Sequence, residues 1–207
     1  MSSFSCLNLR FNPFGELDTE ERKQLACVRV ADLANYVGSP KTAIQLLGNH
    51  GRGKTTHLLA LHAHFPEIPY FKIHSGQLIS FPKSKGYFID SIENISLVNR
   101  LLLYREIKHL AFTTHKNLNL ELKLMGFHVV TRRISQNDPE IIRTILQKRV
   151  EFSRETSKPI PVITLTMANE LVGRFGDDIR AMEYELYQYF NSLRTSEEKQ
   201  CQNARSI

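Results

Sequence analysis

The chain is poor in cysteine. Among its 207 residues only Cys6, Cys27 and Cys201 occur, far apart and without the spacing of a metal site. An odd, scattered set reads as reduced thiols, the usage expected of a cytoplasmic protein. Long apolar runs are missing too. No stretch approaches the ~20 residues that a membrane-spanning helix needs, and Met1 to Phe14 lacks the charged and apolar regions of a secretion signal. His62-x-His64 has neither i,i+4 spacing nor a nearby cysteine, which argues against a metal pair. There is no internal repeat, no nucleophilic triad signature and no aromatic-basic stripe for single-stranded nucleic acid. The charge excess is mild, +6 with a pI near 9.3, and serves solubility as readily as a polyanionic partner. The length suits one compact domain with a small appended one.

The residues that are present speak more directly. Gly48 to Thr55 read G-N-H-G-R-G-K-T, between the apolar run Ala43-Ile44-Gln45-Leu46-Leu47 and the helical pattern that begins at Thr56. A glycine-rich octet between strand and helix is where a P-loop stands. Gly48, Gly51 and Gly53 allow backbone angles that turn successive N–H groups inward, with Asn49, His50 and Arg52 completing the cradle. The helix N-terminus at Thr56 adds partial positive charge. Lys54 suits the β- and γ-phosphates, and the Thr55 hydroxyl suits Mg²⁺. These residues predict binding of a nucleoside triphosphate.

Further along, short strands alternate with helices. A helix is expected from Asp18-Thr19-Glu20-Glu21 to the stop at Gly38-Ser39-Pro40. Strands are expected at Pro69 to Ile73, Gly86 to Asp90, His109 to Thr114 and Phe127 to Thr131, with helices at Ser96 to Lys108 and Leu118 to Met125. This order calls for a mostly parallel sheet covered on both faces. After Ser135 the pattern turns helical. Asp138-Pro139 caps a helix to about Glu155, Lys158-Pro159-Ile160-Pro161 reads as a linker, and helices follow at Thr166 to Arg174 and Asp178 to about Arg194. The expected organisation is a P-loop α/β domain with an N-terminal helix over residues 1–157, a helical lid over 158–195 and a disordered tail over 196–207.

Tyr87-Phe88-Ile89-Asp90 brings a carboxylate to the C-terminal edge of a buried strand, where parallel sheets bind ligands. There Asp90 can hold Mg²⁺, usually through water. Thr55 and Asp90 are thus the expected metal residues.

G-N-H-G-R-G-K-T together with F-I-D-S-I-E resembles the AAA+ ATPases. Thr164-Leu165-Thr166-Met167, Leu171, Asp178-Ile179-Arg180-Ala181-Met182-Glu183 and Leu186 are similar to the lid of the bacterial replication initiator DnaA. Asp138-Pro139-Glu140 with Ile145, Leu146 and Arg149 is similar to the helix before that lid. The resemblance spans roughly Leu46 to Leu193. It implies that Arg180 reaches the γ-phosphate from the lid, that Thr114 or His115 senses the γ-phosphate or positions water (Thr114 preferred), and that an arginine acts in a neighbouring subunit's site. For the last role Arg143 is preferred over Arg132 and Arg133. Phe11-Asn12-Pro13-Phe14 lies where such chains pack a segment against adenine, or else pins the first helix.

One departure from the AAA+ pattern bears on chemistry. The acid expected directly after Asp90 is Ser91, and a serine hydroxyl is a poor general base. Glu93 can replace it only if the backbone bends to present it. The resemblance implies a nucleotide-dependent switch or loader with ATP and Mg²⁺ as cofactors and slow hydrolysis. It would work with a second copy, an AAA+ partner, DNA or a replication or transposition protein, and without a membrane. On this reading no separate DNA-binding domain is expected after the lid. A non-hydrolysing interaction module and a P-loop small-molecule kinase are the competing functions.

Overall fold

In the computed structural model, backbone is described for residues 4–77, 80–135 and 137–204, and side chains to residue 196. In chain order the elements are α1 (Thr19–Leu25), α2 (Ala31–Ala34), β1 (Thr42–Leu47), α3 (Lys54–His62), β2 (Tyr70–Lys72), β3 (Gly86–Asp90), α4 (Leu97–Glu106), β4 (His109–Thr114), α5 (Asn119–Leu124), β5 (His128–Arg133), α6 (Pro139–Phe152), α7 (Leu165–Phe175) and α8 (Ile179–Ala204). Short 3₁₀ turns occupy Ser5–Leu7 and Ile92–Asn94. No described helix is long and apolar enough to cross a membrane. Contacts divide the chain into two compact units, Val28–Ser135 and Met1–Cys27 with Gln136–Ile207.

The first unit is a five-stranded parallel sheet in the order β2-β3-β4-β1-β5. All six residues of β1 are buried, as a central strand between two covered faces requires. Strand alternation sends Ala43, Tyr87, Ile89, Leu110 and Phe112 to one face, where they meet Leu103 and Tyr104 of α4 and Leu122 of α5. Ile44, Leu46, Phe88 and Ala111 point the other way, against Leu58 and Leu61 of α3 and Leu33 of α2. The parallel sheet flanked by helices agrees with the fold class expected from sequence. At the sheet's centre Gln45 is fully buried, and its amide is spent on Asn119 (2.8 Å), Thr131 (3.0 Å) and the Leu118 N–H (2.7 Å), which ties α5 to the sheet.

The single helix expected from Asp18 to Gly38 is instead two. A capping box between Asp18 and Glu21 starts α1, but Ala26 turns extended (ψ 122°) and residues 26–30 leave the helix before α2. Val28 and Val30 are β-branched, which lowers helix propensity, and both pack into the sheet unit's core. β5 also runs two residues past the expected strand, to Arg133.

In the second unit Phe4, Leu9 and Phe14 pack with Ile142, Leu146, Val150, Leu171, Met182 and Phe190. The N-terminal segment and α6, expected with the sheet, cluster with α7 and α8 because they share this core. Asp138 caps α6 through the Glu140 N–H (2.9 Å), with Pro139 at the first helical position. Thr164 caps α7 through the Met167 N–H (3.2 Å), and the linker 158–161 carries no regular element. α8 runs as helix to Ala204, into the stretch expected as a tail from residue 196; residues 205–207 lie outside the described ones.

Phe11-Asn12-Pro13-Phe14 is held by this unit. Phe14 meets Phe190 edge-on at 5.3 Å, and Asn12 donates to the Tyr187 carbonyl at 3.0 Å. The Arg149 guanidinium, 5% exposed, donates to the carbonyls of Pro13 (2.8 Å) and Gly15 (2.5 Å) and to Glu183 (2.6 Å). Arg149→Met should therefore strand three acceptors and destabilise the protein by about 2–4 kcal/mol. Urea unfolding followed by circular dichroism checks this; a loss below about 0.5 kcal/mol would mean that apolar packing alone holds the segment.

Candidate functional site

Lys54, Thr55, Asp90, Glu93 and His115 come together at the C-terminal ends of β1, β3 and β4. The loop after β1 turns through Gly51 (φ 78°) and Gly53 (φ 81°), left-handed angles that a side chain would strain. Gly48 is needed for a different reason: a Cβ there would lie 2.7 Å from the Ile134 carbonyl oxygen. His50 lies in the loop between Asn49 and Gly51, and Arg52 stands between the two turning glycines, half-buried. Gly53 is the N-cap of α3, so Lys54, Thr55 and Thr56 form its first turn. The amide N–H groups of that turn and the helix dipole favour an anion over the loop.

Lys54 is 8% exposed. Its ammonium donates to the Asn49 carbonyl at 2.7 Å and lies 3.3 Å from His115 Nδ1. Asp90 is 2% exposed at the tip of β3 and accepts from the Thr55 hydroxyl at 3.0 and 3.2 Å. Thr113 donates to Asp90 Oδ1 at 2.5 Å and accepts the Ser91 N–H at 2.8 Å. The side chains meeting here offer oxygen, the Asp90 carboxylate and the hydroxyls of Thr55 and Thr113 with that of Tyr70 at 3.5 Å, a set that suits Mg²⁺ with retained waters. No group of three or more histidine, cysteine or acidic side chains capable of holding a metal occurs among the described residues. The residues therefore fit a phosphate-bound Mg²⁺ and not an all-protein metal cage.

After Asp90 the chain bends sharply. Ser91 is left-handed (φ 65°, ψ 55°), an uncommon angle for a residue with a Cβ, and a 3₁₀ turn follows. The bend carries Glu93 back to the site, with its carboxylate 3.4 Å from His115 Nε2. The ring of His115 lies 3.7 Å, centroid to centroid, from that of His50, and its Nδ1 is 2.9 Å from the Gly48 carbonyl oxygen. Burial and the adjacent Lys54 cation hold the His115 pKa below the ordinary histidine value, with Glu93 pulling the other way. Burial likewise lowers that of His57, whose Nδ1 lies 2.9 Å from the Gly53 carbonyl.

Thr114, the residue preferred as a γ-phosphate sensor, does not face this group. Its hydroxyl donates to the Lys116 carbonyl and accepts the Lys116 N–H, both at 3.0 Å, closing the turn after β4. His115 stands at Lys54 and Glu93 instead. Thr113 was missed by sequence reasoning altogether. Its signal lies in the register: Ile89 pairs with Phe112, so the next residues, Asp90 and Thr113, come side by side. Of the arginines, Arg132 pairs with Asp32 and donates to the Arg29 carbonyl at 2.9 Å, and Arg133 is exposed at the end of β5. In the helical unit, Arg143 pairs with Glu140 of its own helix at 3.2 Å, and Arg180 is exposed in the first turn of α8.

The sequence matches no protein-family profile and no curated protein. Its structure is similar to the crystal structure of Cdc6p from Pyrobaculum aerophilum, with a TM-score of 0.56 and 16% identity, covering 93% of this chain and 66% of that one. A structure of NtrX from Brucella abortus in complex with ADP aligns with a TM-score of 0.49 and 11% identity, over 87% of this chain and 52% of that one. The chain thus spans about two thirds of the length of the first and half of the second. The likeness to the Cdc6p structure is one of fold.

Thr113→Val keeps the shape but removes one donor from Asp90 and the acceptor of the Ser91 N–H. The expected loss is about 1–3 kcal/mol of stability, read from the urea midpoint. An unchanged midpoint would mean that Thr113 does not hold the bend at Ser91.

Proposed function

We propose that this protein binds ATP with Mg²⁺ and works as a nucleotide-dependent switch whose hydrolysis is slow. The observation that carries this reading is the Thr55–Asp90 pair, 3.0 Å apart, beneath a glycine loop that opens a helix. In this reading the loop from Gly48 to Thr56 cradles the phosphates, Lys54 leaves the Asn49 carbonyl to serve the β- and γ-phosphate oxygens, and Thr55 and Asp90 hold the metal. Mg²⁺, when bound, neutralises charge on those oxygens. Glu93 is the acid available to orient water, supported by its nearness to His115. It reaches the site by way of the Ser91 bend and not directly beside Asp90, which is why hydrolysis is expected to be slow.

The resemblance to AAA+ ATPases, and to the lid of DnaA within them, supports the remaining roles. Arg180 reads the γ-phosphate and sets lid position by binding ATP and ADP differently, since a ligand shifts a conformational equilibrium only through such a difference. Arg143 acts on a neighbouring subunit, which is a second copy or an AAA+ partner. Thr114 supports the sensor turn rather than touching nucleotide. The protein is cytoplasmic and acts as a regulator or loader for DNA or for a replication or transposition protein. The non-hydrolysing alternative is favoured by one observation, the serine at position 91.

Calorimetry and phosphate release test the reading together. Lys54→Ala should weaken ATP binding by at least about tenfold, or 1.4 kcal/mol. Equal affinity in the two proteins would overturn the site. At saturating ATP, Glu93→Gln should lower turnover by about 10²-fold or more, and Ser91→Asp should raise it. Unchanged turnover in Glu93→Gln would assign water activation elsewhere, and no turnover in any of the three would leave the non-hydrolysing module.

A further inference from the structure

The His115 ring meets two demands that one nitrogen cannot satisfy together. Its Nδ1 lies 2.9 Å from the Gly48 carbonyl oxygen, which only accepts, and 3.3 Å from the Lys54 ammonium, which only donates. A bare Nδ1 takes a Lys54 hydrogen and leaves the carbonyl facing a lone pair. A protonated Nδ1 serves the carbonyl and repels the ammonium. On the other side of the ring, Nε2 faces the Glu93 carboxylate at 3.4 Å and keeps its hydrogen in both arrangements. While Lys54 stays, its charge opposes a proton on Nδ1. Once Lys54 leaves, both nitrogens face acceptors.

We propose that His115 takes up a proton from solvent when Lys54 moves from its ring to the phosphates of a bound nucleoside triphosphate, so that nucleotide binding and His115 protonation are linked. The proposal rests on the ATP-binding reading and adds to it a named proton site. One N–H bond forms at Nδ1 and one O–H bond of hydronium breaks; no electrons change hands. The resulting imidazolium donates to the Gly48 carbonyl and to Glu93, whose Oε2 has no hydrogen-bond partner among the described residues and gains a counter-charge. It adds a fixed cation beside the phosphate loop, which a neutral ring does not supply.

Among the described residues, the charged and titratable groups facing the ring come from three elements: Lys54 from α3, His50 from the loop and Glu93 from the 3₁₀ turn. The nearby Asp90 carboxylate is already engaged by Thr55 and Thr113. Burial and Lys54 are the two largest influences keeping the ring deprotonated, with His50 acting in the same sense; Glu93 and the Gly48 carbonyl favour the proton. Of these, only Lys54 is a residue that the phosphates themselves attract. Its departure removes a like charge close enough to move a titration midpoint by about one pH unit or more.

Ring resonances in nuclear magnetic resonance spectra follow the proton directly, with His115→Gln used to assign the His115 signal. The midpoint should rise by about one pH unit or more on saturation with a non-hydrolysable ATP analogue and Mg²⁺. Lys54→Met provides an arm that needs no ligand: in the nucleotide-free variant the midpoint should already be raised. Calorimetry of the same analogue in buffers of different ionisation enthalpy should register more proton uptake by the wild type than by Glu93→Gln. Saturable binding with an unmoved His115 midpoint overturns this inference alone, as does an unmoved midpoint in Lys54→Met. Absence of any saturable heat overturns the nucleotide reading, and this inference with it.

Discussion

A buried carboxylate at the tip of β3 sets the terms for its surroundings. Asp90 is 2% exposed, and a charge taken from water that far must be met by donors. Thr55 meets it from the first turn of α3 and Thr113 from β4. Those two hydroxyls lock the phosphate loop to the two strands beside it. The lock depends on the parallel register, which brings β3 and β4 level one step beyond the Ile89–Phe112 pair. It also depends on a loop compact enough to start α3 directly over the strand tips, which Gly51 and Gly53 permit through their left-handed angles. The oxygen-only character of the cluster follows from the same residues and explains why a hard, hydrated cation suits it.

The bend after Asp90 then decides which acid can act. A left-handed serine costs on the order of 1 kcal/mol, and the Ser91 N–H bond to Thr113 at 2.8 Å offsets it. The bend folds the chain back so that Glu93 comes to His115, where a straight continuation of β3 would have carried it onward. The position directly after Asp90, where an acid is expected, holds instead the residue that makes the turn.

Much of the fold was legible because it rests on local signals. The five strands lie where apolar runs end in turn residues, and caps at Asp138 and Thr164 start α6 and α7. The phosphate loop and Asp90 were legible for the same reason, since each is a short contiguous pattern. What sequence could not give depended on distant partners. Residues 26–30 leave the helix because Val28 and Val30 pack into the sheet unit's core, and the N-terminal segment joins α6 and α8 through Arg149 and Phe14. In the site, Thr113 and Thr114 are indistinguishable as letters. Strand alternation turns one to Asp90 and leaves the other to close the turn with Lys116, and His115 acquires its neighbours only when the loop folds over it.

The central claim is that Thr55 and Asp90 hold a divalent metal as part of a metal–nucleotide complex. Electron paramagnetic resonance with Mn²⁺ in place of Mg²⁺ tests it directly, because the free ion and the bound ion give distinct signals. With no group of three or more metal-binding side chains among the described residues, the protein alone should bind Mn²⁺ weakly, whereas ATP should bring the ion into a protein-bound state. Asp90→Asn should release it while Lys54 and the loop remain. Mn²⁺ bound equally well with and without ATP, or unaffected by Asp90→Asn, would contradict the claim.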